Sequence, residues 1–155
     1  MDGERLMKVQ TALTKIKAYD AKLAQTLRGS EAFNQIDDAY DAFVYRYLRP
    51  RDAVLISQQL GRPLTTLELA RLVTAAYNQT DLTATLPLTP EVKLGLALKF
   101  ARRQRQLTQQ DVAIQTGITQ SQVAKAETAQ TTLSLSNWQA LFKAVDFVPA
   151  FQFGR

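Results

Sequence analysis

The sequence predicts an all-α protein built from two helical parts. Apolar residues recur at alternating spacings of three and four, which is the period of amphipathic helices. Ser, Thr or Asp stands before several of these segments, where its side chain can cap the first turn, and Gly or Pro follows them. A turn-rich stretch over 79–89 is predicted to link an N-terminal helical region, 1–78, to a C-terminal domain, 90–147, with a short aromatic tail over 148–155.

The first predicted helix covers about 2–27. Its apolar seam repeats in the three-four alternation of a coiled coil over about three heptads, and only Asp20 interrupts it. Two interpretations stay open. The helix either packs as an amphipathic helix inside its own domain, or it dimerises, with Asp20 setting register or partner. The seam consists of Leu6, Val9, Leu13, Ile16, Leu23 and Leu27.

The second predicted helix runs from about 31 to 48, with Ser30 as its N-cap and Pro50 closing it. Its polar face carries three carboxylates, but a metal site needs oxygen ligands that converge, so we expect a solvated face. Those carboxylates belong to Asp37, Asp38 and Asp41. The residues predicted to point inward are Phe33, Ile36, Tyr40, Phe43, Val44 and Tyr47.

Two shorter helices complete the N-terminal region. Asp52 is predicted to cap the first, which ends at about residue 60 before Gly61. Thr65 and Glu68 form a capping box for the second, which reaches about residue 77. The pair has the order helix, glycine turn, helix and could be a degenerate helix-turn-helix. We favour an ordinary helical pair, because such turns are common in α domains.

The C-terminal domain opens with Thr89 and Pro90, which begin a helix over about 90–105. Thr108 then caps a helix over 108–116, and Gly117 stands where a helix end needs the left-handed conformation. Thr119 caps a further helix over 119–127. After a loop, Ser134 caps a last helix, whose inner face carries Leu135, Trp138, Leu141 and Val145. Two short helices hinged at a glycine are the arrangement of a helix-turn-helix.

Residues 94–147 resemble the Cro/C1-type (XRE-like) helix-turn-helix family of phage repressors and bacterial regulators. The resemblance implies a five-helix domain whose third helix, 119–127, enters the DNA major groove. Three positions depart from the family: Ala129 and Asp146 stand where glycine is common, and Lys125 replaces an arginine.

By this resemblance, the third helix reads bases. Glutamine can pair with N6 and N7 of adenine, and lysine can donate to O6 and N7 of guanine. A solvated polar face is the alternative, but within this framework we favour base contact at a site with at least one specified adenine. The base-reading residues are Gln120, Ser121 and Lys125, with Gln122 as a weaker candidate.

Other residues are expected to contact phosphates or hold the domain together. Arg102 aligns with a family arginine and is expected to form a structural ion pair with Glu127, which ends the third helix. Phosphate contacts fix the register of a protein on DNA without reading sequence. The residues expected to make them are Gln109, Thr119, Arg103, Arg105, Thr131 and Thr132.

Composition limits the function classes. The net charge is +5, and residues 86–155 hold eight basic and four acidic residues, hence +4 of it, as expected of a module that binds a polyanion. Cysteine and histidine are absent, so thiol chemistry and the commonest general base are excluded. We expect no enzyme, no cofactor and no metal.

The sequence lacks an apolar run of membrane-spanning length, and its acidic start is unlike a signal peptide, so we expect a cytoplasmic protein without membrane contact.

The sequence therefore predicts a DNA-binding transcriptional regulator, acting as a homodimeric repressor on an inverted repeat of double-stranded DNA. Two alternatives stay open. One is an antitoxin-type autoregulator whose N-terminal region, through 31–77, binds a protein toxin. The other is an interaction adaptor that has lost DNA binding. An apolar pair four residues apart, Leu96 and Phe100, motivates the adaptor because such a pair, if exposed, forms a docking patch.

Overall fold

The computed structural model describes residues 6–150, and this part of the chain folds into α-helices without strands. The all-α prediction is therefore confirmed. The chain divides into two compact units, Met1–Leu82 and Thr83–Arg155. The first contains α1 (Val9–Ala24), α2 (Glu31–Val44), α3 (Pro50–Leu60) and α4 (Thr66–Asn78). The second contains α5 (Pro90–Gln104), α6 (Gln109–Thr116), α7 (Gln120–Glu127) and α8 (Leu135–Ala144).

Helix α1 packs inside its own unit, against α2 and α4. Ala12 and Ile16 are fully buried there. Asp20 accepts a hydrogen bond from the Tyr40 hydroxyl of α2, and burial together with this carboxylate raises the pKa of Tyr40. One face of α1 therefore packs inside its own unit, as the first of the two interpretations expects. Asp20 forms its hydrogen bond within the chain. Residues 2–5 of the predicted helix lie outside the described part.

Helix α2 is shorter than predicted and is only lightly buried. Val44 is its one buried residue, and Tyr40 stacks on Tyr19 of α1 with ring centroids 5.1 Å apart. The prediction that Tyr47 points inward is wrong: Tyr47 is 51% exposed, because the helix ends at Val44 and 45–47 form a turn. Burial and then repulsion from its acidic neighbours on α2 raise the pKa of Asp41.

Helix α3 begins at Pro50 rather than at Asp52, and Arg49 occupies the N-cap position. Proline at the first helical position has the right φ and lacks only an N–H that would stay unpaired there. Asp52 instead lies in the first turn and is buried. The prediction of Asp52 as a cap is therefore wrong, and Pro50 opens a helix.

The capping box of α4 is confirmed, with Thr65 and Glu68 bonded reciprocally. Arg62 also donates to both carboxylate oxygens of Glu68, at 2.7 and 2.9 Å. This bidentate contact and the Thr65 bonds lower the pKa of Glu68 to about 2. Because Glu68 is buried, the first turn of α4 does not offer an exposed polar face like that of a DNA-reading helix.

Residues 80–89, between α4 and α5, are non-helical, yet Asp81, Thr83 and Leu86 are buried. The segment predicted as a linker is thus well packed. On α5, Leu96 is 3% exposed and Phe100 is half-buried. The two residues do not form an exposed apolar patch, and the adaptor alternative loses that support.

The C-terminal unit has one continuous core, to which all four of its helices contribute. Trp138 packs beside Phe142 of α8, with ring centroids 5.9 Å apart. The described residues of this unit contain four helices, one fewer than the family plan implies. Helix α8 stops before Asp146, which has a left-handed φ of 51°, and Pro149 follows. Of the predicted aromatic tail, residues 151–155 lie outside the described part. The largest fully buried side chains of this core are Leu98, Val112, Val123, Leu141 and Val145.

Four helices end on left-handed residues other than glycine: Gln79, Gln106, Ala129 and Asp146. After α7, for example, the Gln130 N–H bonds the Lys125 carbonyl and the Ala129 N–H bonds the Ala126 carbonyl. This is the Schellman pattern, in which glycine is the usual left-handed residue. A side chain in this conformation costs roughly 1 kcal/mol.

Candidate nucleic-acid interface

A capping box begins helix α6, and a left-handed glycine ends it. The Asp111 N–H donates to Thr108 Oγ1 at 3.0 Å, and the Thr108 N–H donates to Asp111 Oδ2 at 2.9 Å. These bonds lower the pKa of Asp111. Gly117 has a φ of 76°, and the next residue, Ile118, is buried in the core. The chain is thereby turned sharply and anchored before Thr119 begins α7.

Helix α7 has one buried face and one exposed polar face. Val123 and Ala126 are completely buried in the core. The opposite face carries four exposed polar side chains. Since the rear of the helix is fixed by close packing, those side chains project from a rigid support. They belong to Gln120, Ser121, Gln122 and Lys125.

Gln122 takes part in the cap of α7. Its Oε1 accepts from the Thr119 N–H at 3.1 Å and from Thr119 Oγ1 at 3.2 Å, while its own N–H donates to Thr119 Oγ1 at 3.1 Å. Sequence reasoning missed this glutamine version of the capping box, although the Thr-x-x-Gln spacing is its signal. The cap engages the Gln122 carbonyl oxygen and the Thr119 hydroxyl, whereas the Gln122 Nε2 group takes no part in it.

The structure brings Arg102 of α5 and Glu127 of α7 together in a buried ion pair. Arg102 Nε donates to Glu127 Oε2 at 2.6 Å, and Arg102 Nη2 donates to Oε1 at 2.9 Å. The side chains are 10% and 1% exposed. Arg102 Nη1 also donates to the Leu107 carbonyl at 2.9 Å. One guanidinium therefore ties α5 both to the end of α7 and to the segment that leads into α6.

Gln109 extends this pair toward the exposed face of α7. Its Nε2 donates to Glu127 Oε1 at 3.1 Å, and its Oε1 accepts from Gln120 Nε2 at 2.9 Å. Four side chains thus form one chain of hydrogen bonds from the buried guanidinium of Arg102 to the exposed amide of Gln120. Gln109 was predicted to meet a phosphate; here both ends of its amide are engaged within the protein, and it orients Gln120.

Gly95 lets α5 and α7 approach closely, and sequence reasoning missed it. A Cβ atom at this position would lie 2.5 Å from the Ala126 carbonyl oxygen and 2.9 Å from that of Glu127. Both oxygens belong to the backbone and cannot rotate away. A glycine inside an otherwise good helix was the available signal, because it lowers helix stability without a local reason.

The remaining predicted phosphate contacts lie in different surroundings. Arg105 is tied to the end of α8: its Nη2 donates to the carbonyl and to Oδ2 of Asp146, at 3.0 and 3.1 Å, and its Nε to the Val145 carbonyl at 3.3 Å. Arg103 is half-buried. In the loop after α7, Thr131 is half-buried and Thr132 is exposed. The geometry therefore gives Arg105 a structural role.

Within residues 6–150, no three acidic side chains come together as a metal site would require. None of the helices described there is long and apolar enough to cross a membrane.

Comparison with known proteins identifies the C-terminal segment. Residues 98–151 match a family model described as helix-turn-helix, of the Cro/C1 (XRE-like) type. This match confirms the resemblance seen in the sequence, for about the third of the chain that it covers. No curated protein and no solved structure matches the chain. The C-terminal unit thus carries a helix-turn-helix domain.

Proposed function

We propose that the protein is a sequence-specific DNA-binding transcriptional regulator that acts as a homodimeric repressor on an inverted repeat. The observation that carries this proposal is the two-sided character of α7. Its rear face is fixed by the fully buried Val123 and Ala126 and by the Arg102–Glu127 pair. Its front face holds exposed polar side chains that suit base edges in a major groove.

Gln120 is the primary base-reading residue in this proposal. One N–H of its amide is held by Gln109 Oε1 at 2.9 Å. The second N–H and the carbonyl oxygen remain available, since a glutamine amide has two donors and two acceptor sites. Those two groups match N7 and the N6 amino group of adenine. Prior orientation by Gln109 lowers the entropy lost when the contact forms.

Lys125 lies on the exposed face of α7, one turn after Ser121, and suits O6 and N7 of guanine. Ser121 lies beside Gln120 and can donate to or accept from several bases. One such helix covers only a few base pairs. Two copies reading half-sites about 34 Å apart would supply the specificity that one lacks.

The test begins with selection of bound fragments from a random DNA library. Mobility-shift titration then compares the selected site with unrelated DNA. We expect Gln120→Ala and Lys125→Ala to reduce the ratio of specific to non-specific affinity by about fivefold or more, since a bidentate base contact contributes roughly 1–3 kcal/mol of discrimination. Gln139→Ala, which removes an exposed glutamine of α8, is the matched control. An unchanged ratio in both α7 variants would refute the base-reading assignment.

Dimerisation is tested separately, by sedimentation of the free protein and of its complex with the selected site. We expect two chains per site and a site with two-fold symmetry. A single chain bound to an asymmetric site would contradict the dimer while leaving the role of α7 intact.

A further inference from the structure

The turn that joins α2 to α3 concentrates positive charge and exposed aromatic rings. Residues 45–51 read Tyr-Arg-Tyr-Leu-Arg-Pro-Arg. Tyr45 is 40% exposed and Tyr47 is 51% exposed, whereas Leu48 is 1% exposed and anchors the turn. Arg46 and Arg51 are exposed. Asp or Glu is absent from 42–51, and the next carboxylate, Asp52, is buried.

Contacts within the N-terminal unit extend this surface beyond the turn. The Arg46 guanidinium lies over the Tyr47 ring, 5.4 Å from its centroid. The Tyr47 ring meets that of Tyr77 from α4 edge-on, with centroids 5.3 Å apart. Tyr77 in turn lines a cleft of about 350 Å³ together with Lys8 and others. A cation, two rings and a second cation thus follow one another from the turn to the start of α1: Arg46, Tyr47, Tyr77 and Lys8.

The Asn78 side chain fixes the main chain that borders this cleft. Asn78 Oδ1 accepts from the Met7 N–H at 2.8 Å, and Asn78 Nδ2 donates to the Met7 carbonyl at 2.9 Å. These two bonds fix the backbone next to Lys8. The position of Lys8 relative to Tyr77 is thus set by the fold rather than by a free chain end.

Exposed rings beside cations are the arrangement by which proteins hold single-stranded nucleic acid: the rings stack on unpaired bases and the cations follow the phosphates. From this combination we propose that the surface formed by residues 45–51, Tyr77 and Lys8 binds single-stranded nucleic acid, as a second site separate from α7. A duplex already stacks its bases on each other, so exposed tyrosines would add little to duplex binding. The inference does not depend on the helix-turn-helix reading bases.

The test uses the full chain and fluorescence anisotropy with a labelled oligothymidylate of about 12 nucleotides, within the range of known single-strand site sizes. We expect Tyr47→Ala to weaken binding at least about fivefold at every salt concentration, since one stacked base contributes roughly 1–3 kcal/mol. Tyr47→Phe keeps the ring and should bind like the wild type. Circular dichroism of each variant checks that the unit remains folded.

The cations are tested by salt dependence. Replacing Arg46 and Arg51 together with alanine should reduce the slope of log affinity against log salt by about 1.4, since each phosphate contact to a single strand contributes about 0.7. The matched control is the pair Lys17→Ala and Lys22→Ala, which removes two exposed cations from α1 and should leave the slope nearly unchanged.

Two results would overturn the proposal. One is oligothymidylate binding that survives both the Tyr47→Ala and the double arginine change but is lost on Lys125→Ala, because the strand would then bind at α7. The other is an unchanged affinity in the 45–51 variants accompanied by altered sedimentation, which would make this surface a protein interface. Loss of single-strand binding in those variants, with their binding to duplex DNA unchanged, supports the proposal even if the base-reading assignment fails.

Discussion

Removal of the Glu127 carboxylate should destabilise the C-terminal unit severely. The side chain is 1% exposed and accepts hydrogen bonds from Arg102 and Gln109. Deleting one partner of a buried ion pair leaves the other charge uncompensated and costs about 3–5 kcal/mol. A unit spanning 83–155 has a total stability of about 4–11 kcal/mol at ordinary values per residue. We therefore expect Glu127→Ala to remove a large part of that stability.

Urea unfolding followed by tryptophan fluorescence measures this effect in the right unit. Trp138 is the only tryptophan of the chain and lies 7% exposed in the core of the C-terminal unit. The matched control is Glu91→Ala, which removes an exposed carboxylate from α5 and should cost less than about 1 kcal/mol.

A double-mutant cycle separates the pair from its surroundings. Replacing Arg102 and Glu127 together with methionine should lower the free energy of unfolding by less than the sum of Arg102→Met and Glu127→Met. The double change leaves no buried charge without its partner. If Glu127→Ala unfolds at the same urea concentration as Glu91→Ala, the ion pair does not stabilise the unit and the reasoning fails.

Three further changes test other parts of the structure. Gly95→Ala should cost about 1–3 kcal/mol in the same urea assay, because the methyl group would meet the Ala126 carbonyl oxygen at 2.5 Å; wild-type stability would contradict the close approach of α5 to α7. Ala129→Gly should stabilise the unit by about 1 kcal/mol, since it relieves a left-handed φ of 58°, and an unchanged urea midpoint would argue against strain there. The bonds from Arg62 and Thr65 lower the pKa of Glu68 from 4.5 to about 2, so the stability that the Glu68 carboxylate contributes is complete above pH 4.5 and is lost as the pH falls toward 2. Thermal unfolding by circular dichroism should show this loss in the wild type and a flatter dependence in Glu68→Gln.

Features that depend on neighbours in sequence could be predicted. The capping box of Thr65 with Glu68 joins residues three apart, the cap at Thr108 is as local, and the structure has both. A prediction from neighbouring residues fails where the same residue type is common at both ends of a helix. Pro50 can end one helix or begin the next, and only the φ and ψ of Arg49, at −77° and 131°, settle that it begins α3.

The candidate interface was only partly predictable, because its organisation depends on contacts distant in sequence. The hydrogen bond between Gln109 and Gln120 joins residues 11 apart, and that between Arg105 and the Asp146 carboxylate joins residues 41 apart. An arginine near the end of a helix carries the same local signal whether it meets a phosphate or a neighbouring helix end. The phosphate contact expected of Arg105 therefore stays a prediction, and its bonds to Val145 and Asp146 could not be foreseen from the sequence.

The sparse burial of α2 has a consequence for dynamics. Since Val44 is its only buried residue, whereas α4 buries five, the helix can open locally while uncovering little of the core. Segments with few buried contacts exchange their amide hydrogens through such low-energy openings. Local unfolding of the N-terminal unit should therefore begin in α2, before the other helices of the unit open. Protease cleavage under native conditions should begin in the same helix.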